Sequence, residues 1–277
     1  MTIKQFVQLA ILEDIKEGDH SALACIPKSA YGKAQLLIKE NGIIAGVNTA
    51  EQIFKEFDSS FEFTKLINDG QKVDKGDVAF TIHGPSINLL SAERLVLNVM
   101  QRMSAIATLT NKYVKALEGL NTKLLDTRKT TPLIRFLEKE AVKIGGGVNH
   151  RYGLYDMIML KDNHNDFAGG IENSINKTIQ YLRENNLNLK IEVETRNIEE
   201  VKEVLKVGNI DRIMLDNFNY EDMRKAVKLI NNQYETEASG GINLETVRKY
   251  AECGVDFVSV GALTHSVSNM DLSLKAI

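Results

Sequence analysis

The chain is poor in the features that announce several common classes of protein. It holds only two cysteines in 277 residues. Cys25 and Cys253 lie far apart in apolar contexts, ALACIP and AECGVDF, without CxxC spacing, so two buried thiols are expected and neither a disulfide framework nor a zinc site is supported. No apolar run approaches the roughly 18 residues of a membrane span. The acidic pair Glu13 and Asp14 arrives before a signal-peptide pattern can form, and a cytoplasmic location is the default expectation. The net charge of −3 leaves no electrostatic footprint for nucleic acid or an anionic membrane. No GxGxxG joins a strand to a helix, which argues against a dinucleotide-binding turn, and no HExxH metal motif, internal repeat or low-complexity segment occurs.

With 43% hydrophobic and 26% charged residues, the chain is long enough for a large core and one or two domains. IKQFVQLAILEDI places Ile3, Phe6, Val7, Ala10 and Ile11 at helical spacing. From Tyr31 to about Gly84, short β-like runs (AQLLI, GIIAG, FEFTKLI, DVAFTI) surround a helical TAEQIFKEF, predicting a small α+β domain. From Pro85 one long helix is expected, apolar on more than one face as in a helix buried between domains or subunits. Arg94 and Arg102 interrupt it; Arg102 is expected in solvent or a salt bridge, and Arg94 is a candidate to project into an interface. After Leu120, strand-like runs recur at Lys123–Leu125, Met157–Leu160, Lys190–Glu194, Arg212–Leu215, Glu235–Ala238 and Phe257–Val260, with helical runs between them. The first of those helices is expected to start at Pro132, capped by Thr130 or Thr131. This alternation predicts a parallel sheet, and polar clusters at nearly every strand end favour an α/β barrel with fewer than eight strands.

The densest chemistry lies between Lys123 and His164, where Arg128, Lys129, His150, Arg151 and Lys161 stand at or beside the ends of apolar runs. Parallel α/β enzymes bind ligands at strand C-terminal ends, so a small polyanion is the expected partner. An arginine fork matches a carboxylate or phosphate bidentately, whereas lysine offers a compact point charge. Lys161 directly follows MIML and would emerge from the barrel floor, able to hold an anion or form a Schiff base. A zinc grouping of His150, His164 and Asp162 has no supporting spacing. IEVET and IMLDN bring Glu194 and Asp216 to two strand ends, acids suited to acid–base work, Mg²⁺ or ribose hydroxyls. Strand alternation puts Glu192 and Glu194 on one face and does not choose between them. After the last two strands, ASGGIN and VGALTHS place Ser239, Gly240, Gly241 and Gly261 where backbone N–H groups can hold a phosphate dianion. The residues alone thus describe a barrel enzyme for a phosphorylated sugar and a second anion that needs several cations.

With DTRKTTP, GGGVNHR, MLKDNH, EVE, LDNF, SGGI and VGALTHS in this order, and ILEDIKEGD and SAERLVLNVMQRMSAIAT ahead of them, the chain resembles the quinolinate phosphoribosyltransferase family over nearly its whole length. The resemblance implies an N-terminal α/β sandwich with its long connecting helix over residues 1–105, followed by an incomplete parallel α/β barrel over 106–277. A segment near 266–277 would pack back on the first domain. It implies transfer of phosphoribosyl from phosphoribosyl pyrophosphate to quinolinate with decarboxylation, giving nicotinate mononucleotide, pyrophosphate and carbon dioxide in NAD biosynthesis, with Mg²⁺. Carried over residue by residue, Arg128, His150, Arg151 and Lys161 would hold the quinolinate carboxylates, and Arg94 would reach in from the other subunit of a homodimer. Lys129, Glu194 and Asp216 would be the catalytic set and hold phosphoribosyl pyrophosphate, the two acids also being candidates for the metal. Ser239, Gly240, Gly241 and Gly261 would hold its 5-phosphate. A paralogue associated with molybdenum transport shares the fold and many motifs, and the intact cationic set argues against it; a non-catalytic anion-binding barrel is the remaining alternative. Arg196, in EVETRN, departs from the family's usual strand end.

Overall fold

Thr2 caps the first helix, Ile3–Asp14, by accepting from the Gln5 N–H while the Gln5 side chain accepts from the Thr2 N–H. In this computed structural model, which describes residues 1–277, the β-like runs up to Pro85 form an antiparallel sheet. Its four strands lie in the order Leu272–Ala276, Tyr31–Ile38, Val78–Pro85 and Glu62–Lys65. An aromatic cluster covers it: Phe54 from the helix Val47–Phe57 packs edge-on against Phe61 and Phe80, and Phe63 lies 4.4 Å from Phe80 between ring centroids. Burying a side chain of this size stabilises by about 1.5–3 kcal/mol. GIIAG yields only the two-residue strand Gly42–Ile43, because Gly46 turns the chain at φ +93 into the next helix. Cys25 departs from expectation. It is exposed at the end of the short helix His20–Cys25, while Cys253 is buried.

The long helical run is one helix, Ser86–Ala116, of 31 residues and roughly 46 Å. By compactness the chain forms two units. The first comprises Met1–Asn111, Thr130–Gly146 and Leu263–Ile277, and the second comprises Lys112–Lys129 and Gly147–Ala262. The first therefore contains the antiparallel sheet, most of the long helix and the helix Arg135–Ile144. That last helix starts later than Pro132. Leu133 sits in the left-handed region at φ +68, which a helix cannot propagate, and Thr130 and Thr131 bond to Arg135 and Glu138 side chains instead of capping.

The second unit holds six parallel strands in the order Lys123–Leu125, Phe257–Ser259, Glu235–Ser239, Arg212–Asp216, Ile191–Thr195 and Ile158–Leu160. The last strand in sequence pairs with the first, so the sheet curls round. The first and second strands form no ladder with each other, which leaves the barrel incomplete, and Val148 bridges to Leu125 at the free edge. Strand-end asparagines start the outer helices: Asn197 accepts from the Glu200 N–H and Asn219 from the Asp222 N–H, with acids in each first turn. A short helix, Asp162–Ala168, follows the second strand and was not legible as a separate element; Gly169, at φ +86, ends it. No helix is long and apolar enough to cross a membrane.

Candidate active site

The strand ends converge on one cavity of about 760 Å³. Arg128 and Lys129 enter after the first strand, Lys161 after the second, Glu194 and Asp216 from the third and fourth, and Ser239 with Gly240, Gly241 and Gly261 from the last two. His150 and Arg151, from the loop after the triple glycine, complete the wall. Every candidate residue of the barrel unit is thus brought to one place. Arg94 is not: it is exposed on the long helix of the first unit, beside a groove of about 320 Å³ that also holds Phe6, Leu95 and Arg102.

The electrostatics are those of an anion receptor. Burial and the nearby charge of Arg128 both lower the pKa of Arg151, and Glu192 and Asp156 only partly offset this. Arg128 is half-buried, and its Nε is sealed from solvent without a hydrogen-bond partner. A dianion shared with Arg128 would relieve the Arg151 guanidinium. Lys161 Nζ donates to Glu194 Oε2 at 3.1 Å, and Asn217 Nδ2 donates to Asp216 Oδ2 at 2.6 Å. The choice between the two glutamates of EVE is settled by depth. Glu194 lines the cavity, whereas Glu192 is fully buried one layer below.

That lower layer is a buried charge cluster. His150 Nε2 lies 2.9 Å from Glu192 Oε2 and 3.3 Å from Glu237 Oε2, and Arg212 Nη1 donates to Glu237 Oε2 at 3.1 Å. Burial would lower the His150 pKa, but bonds to Glu192 and Glu237 and their charges overcome it and raise it to about 9. Burial and the charge of Glu237 lift Glu192 to about 7. The ring's Nδ1 accepts the Arg151 N–H at 2.6 Å, so in the neutral ring Nε2 carries the proton, and the amide opposes a second one. This trio has the residue types of a metal site. The same Arg151 amide argues against that use, because a metal at Nε2 would leave the proton on Nδ1, facing a second donor.

The zinc grouping considered from sequence does not assemble: His164 Nδ1 accepts from the Lys161 N–H at the start of the short helix and lies outside the cavity lining. Arg196 is likewise outside it, paired with Asp166 at 3.2 Å and Glu200 at 2.7 Å. Gly240, at φ +95, lets the loop after the strand Glu235–Ser239 approach its neighbour. A Cβ there would sit 2.8 Å from the Asn217 amide nitrogen. Asn163, Asn217 and Ser259 line the cavity although nothing singled them out; their signal is position, one to three residues past a strand's last apolar residue.

An incomplete parallel barrel with converging arginines, two strand-end acids and glycine loops at its last strands is an α/β-barrel enzyme of small anionic substrates. Comparison with known proteins narrows the class. Residues 19–104 match the family model described as "Quinolinate phosphoribosyl transferase, N-terminal domain", and residues 106–275 match that of the C-terminal domain. A mitochondrial quinolinate phosphoribosyltransferase [decarboxylating] 2 from Nicotiana glauca is 46% identical over 99% of this chain and 82% of its own length. A probable nicotinate-nucleotide pyrophosphorylase [carboxylating] from Bacillus subtilis is 40% identical over 99% and 93%. The crystal structure of NadC from Streptococcus pyogenes superposes with a TM-score of 0.93 at 36% identity, covering 99% of this chain and 97% of that one. The chain belongs to the quinolinate phosphoribosyltransferase family.

Proposed function

We propose that the barrel cavity transfers the phosphoribosyl group of phosphoribosyl pyrophosphate to quinolinate and decarboxylates the product, giving nicotinate mononucleotide, pyrophosphate and carbon dioxide. The observation that carries this is the pair Arg128 and Arg151, converging on one cavity with the Arg151 pKa lowered by burial and by its neighbour. A dicarboxylate is the small ligand that neutralises two such forks together. Lys161 completes that half, and His150 supports it from beneath by fixing the Arg151 backbone. Arg94 of a second copy of the chain adds a further cation in a homodimer.

The other half takes the sugar phosphate. Backbone N–H groups at Ser239, Gly240, Gly241 and Gly261 hold the 5-phosphate, and Lys129 neutralises the departing pyrophosphate. As that bond breaks, positive charge grows at the anomeric carbon, and the preorganised Glu194 carboxylate stabilises it. The quinolinate nitrogen bonds to that carbon, leaving a pyridinium. The carboxylate adjacent to nitrogen then departs as carbon dioxide, its electron pair is drawn toward the cationic ring, and a proton replaces it. Glu194 and Asp216 present hard carboxylate oxygens to the cavity, the donor type that suits Mg²⁺ held jointly with substrate oxygens and water. When bound, Mg²⁺ supplies charge neutralisation to the pyrophosphate. A reducing compartment such as the cytoplasm suits the two free thiols.

The test is incubation of purified protein with quinolinate labelled in its 2-carboxyl group, phosphoribosyl pyrophosphate and Mg²⁺. Labelled carbon dioxide and a mononucleotide are expected in equal amounts, with none from nicotinate in place of quinolinate. Absence of both products at high enzyme concentration overturns the reading.

A further inference from the structure

We propose that Arg102 and Glu138 are a positioning pair that holds in place two segments adjoining ligand-bearing residues, an assignment that rests on the phosphoribosyl-transfer reading above. Glu138, on the helix Arg135–Ile144, is fully buried. Its Oε1 accepts from Arg102 Nε at 3.0 Å, from Arg102 Nη2 at 2.8 Å and from Thr131 Oγ1 at 3.0 Å, and its Oε2 accepts from the Thr131 N–H at 3.0 Å. Arg102 turns its remaining donors to the main chain: Nη2 also reaches the Thr264 carbonyl, and Nη1 the Val267 carbonyl at 3.4 Å. A single ion pair on two helices therefore bonds two segments remote from each other in sequence, the loop at Thr131 and the short helix Ala262–His265 with the turn that follows it.

Each of those segments adjoins a residue of the cavity lining. Thr131 stands two residues after Lys129 and Thr264 three after Gly261, and both Lys129 and Gly261 line the site. Arg135 strengthens the first anchor, its Nε donating to Thr130 Oγ1 at 2.8 Å. A buried ion pair is a weak source of net stability, since apolar packing of similar volume commonly serves as well. What the fork supplies is direction. The planar guanidinium fixes its donors relative to one another, which a lysine ammonium does not. Lys129 and Gly261, the cavity residues nearest the two anchors, belong to the half of the site assigned to phosphoribosyl pyrophosphate, whereas Arg128 lies one residue further from the Thr131 anchor. A displacement of about 1 Å at a positioned group lowers turnover by about a hundredfold.

Two variants test this. Arg102→Lys keeps the charge and loses the fork, and Thr131→Val removes only the hydroxyl bond to Glu138. Steady-state kinetics should show the KM for phosphoribosyl pyrophosphate raised by about tenfold or more in Arg102→Lys and less in Thr131→Val, with the quinolinate KM within about threefold of wild type. Amide hydrogen exchange should quicken at 129–134 and 262–267 in both, while the barrel strands keep wild-type protection. A lower melting temperature with unchanged KM values and unchanged exchange in the two segments would reduce the pair to a structural role, and an equal rise in both KM values would also overturn the proposal. If the wild-type protein makes no product, the transfer reading fails on its own. The exchange pattern, with inorganic pyrophosphate binding in place of turnover, then still decides whether the pair positions the two segments.

Discussion

Lys161 Nζ and Glu194 Oε2 lie 3.1 Å apart, so a cation assigned to quinolinate is restrained by an acid assigned to the sugar. Glu194→Gln removes the carboxylate charge and the restraint together. Turnover should fall by about 10²–10³-fold, the loss typical of a preorganised electrostatic group. Quinolinate affinity, measured by calorimetry, should hold or increase because Lys161 is released. Weaker quinolinate binding in this variant would contradict the division of roles.

Arg128→Ala and Arg151→Ala should each weaken quinolinate binding by about 2–5 kcal/mol, since truncation leaves one carboxylate unneutralised in a partly desolvated site. The lowered pKa of Arg151 gives a further expectation. In protein without ligand, Arg151→Ala should melt no lower than wild type, since it removes a charge that burial and Arg128 both disfavour. Unaltered quinolinate affinity would remove the residue from the binding set.

Arg94→Ala and Lys129→Ala should each be nearly inactive alone. If Arg94 serves a second copy's cavity, unfolding and refolding them together produces heterodimers with one intact site. Random pairing then restores roughly a quarter of wild-type activity. A mixture that stays at the level of the separate variants would place Arg94 outside a shared site.

His150 makes folding stability depend on pH with a definite sign. Its folded pKa, about 9, lies above the ordinary 6.5, so the folded state binds more protons between these values. Stability from this group is fully present below pH 6.5 and is lost as pH rises through about 9. The loss amounts to at most roughly 3 kcal/mol, reduced by the opposition of the Arg151 amide. Urea unfolding at pH 6, 7.5 and 9 should show the decline in wild type and a flatter profile in His150→Gln. An identical profile in the variant would assign the decline elsewhere.

The parallel order and the cationic cavity were legible because both follow from short-range pattern: apolar strand runs repeat, and each is followed at once by its polar cluster. The helix start at Pro132 was misread because nothing in TTPLIR signals the left-handed Leu133. Alternation could say that Glu192 and Glu194 share a face but not which layer each occupies, and the layers decide that one meets His150 and the other lines the cavity. The Arg102–Glu138 pair was only half legible. A salt bridge was one expectation for Arg102, but its partner lies 36 residues away on another helix, outside the reach of any helical or strand period.

The strand Leu272–Ala276, paired with Tyr31–Ile38, sets a timetable for the nascent chain. Every barrel strand leaves the ribosome before it does, so the barrel has all its hydrogen-bonding partners while the earlier-made sheet still presents an open edge. Until synthesis passes Ala276, Tyr31–Ile38 offers unpaired backbone groups to any extended segment nearby. The vulnerable interval in the making of this protein therefore belongs to the half that is translated first.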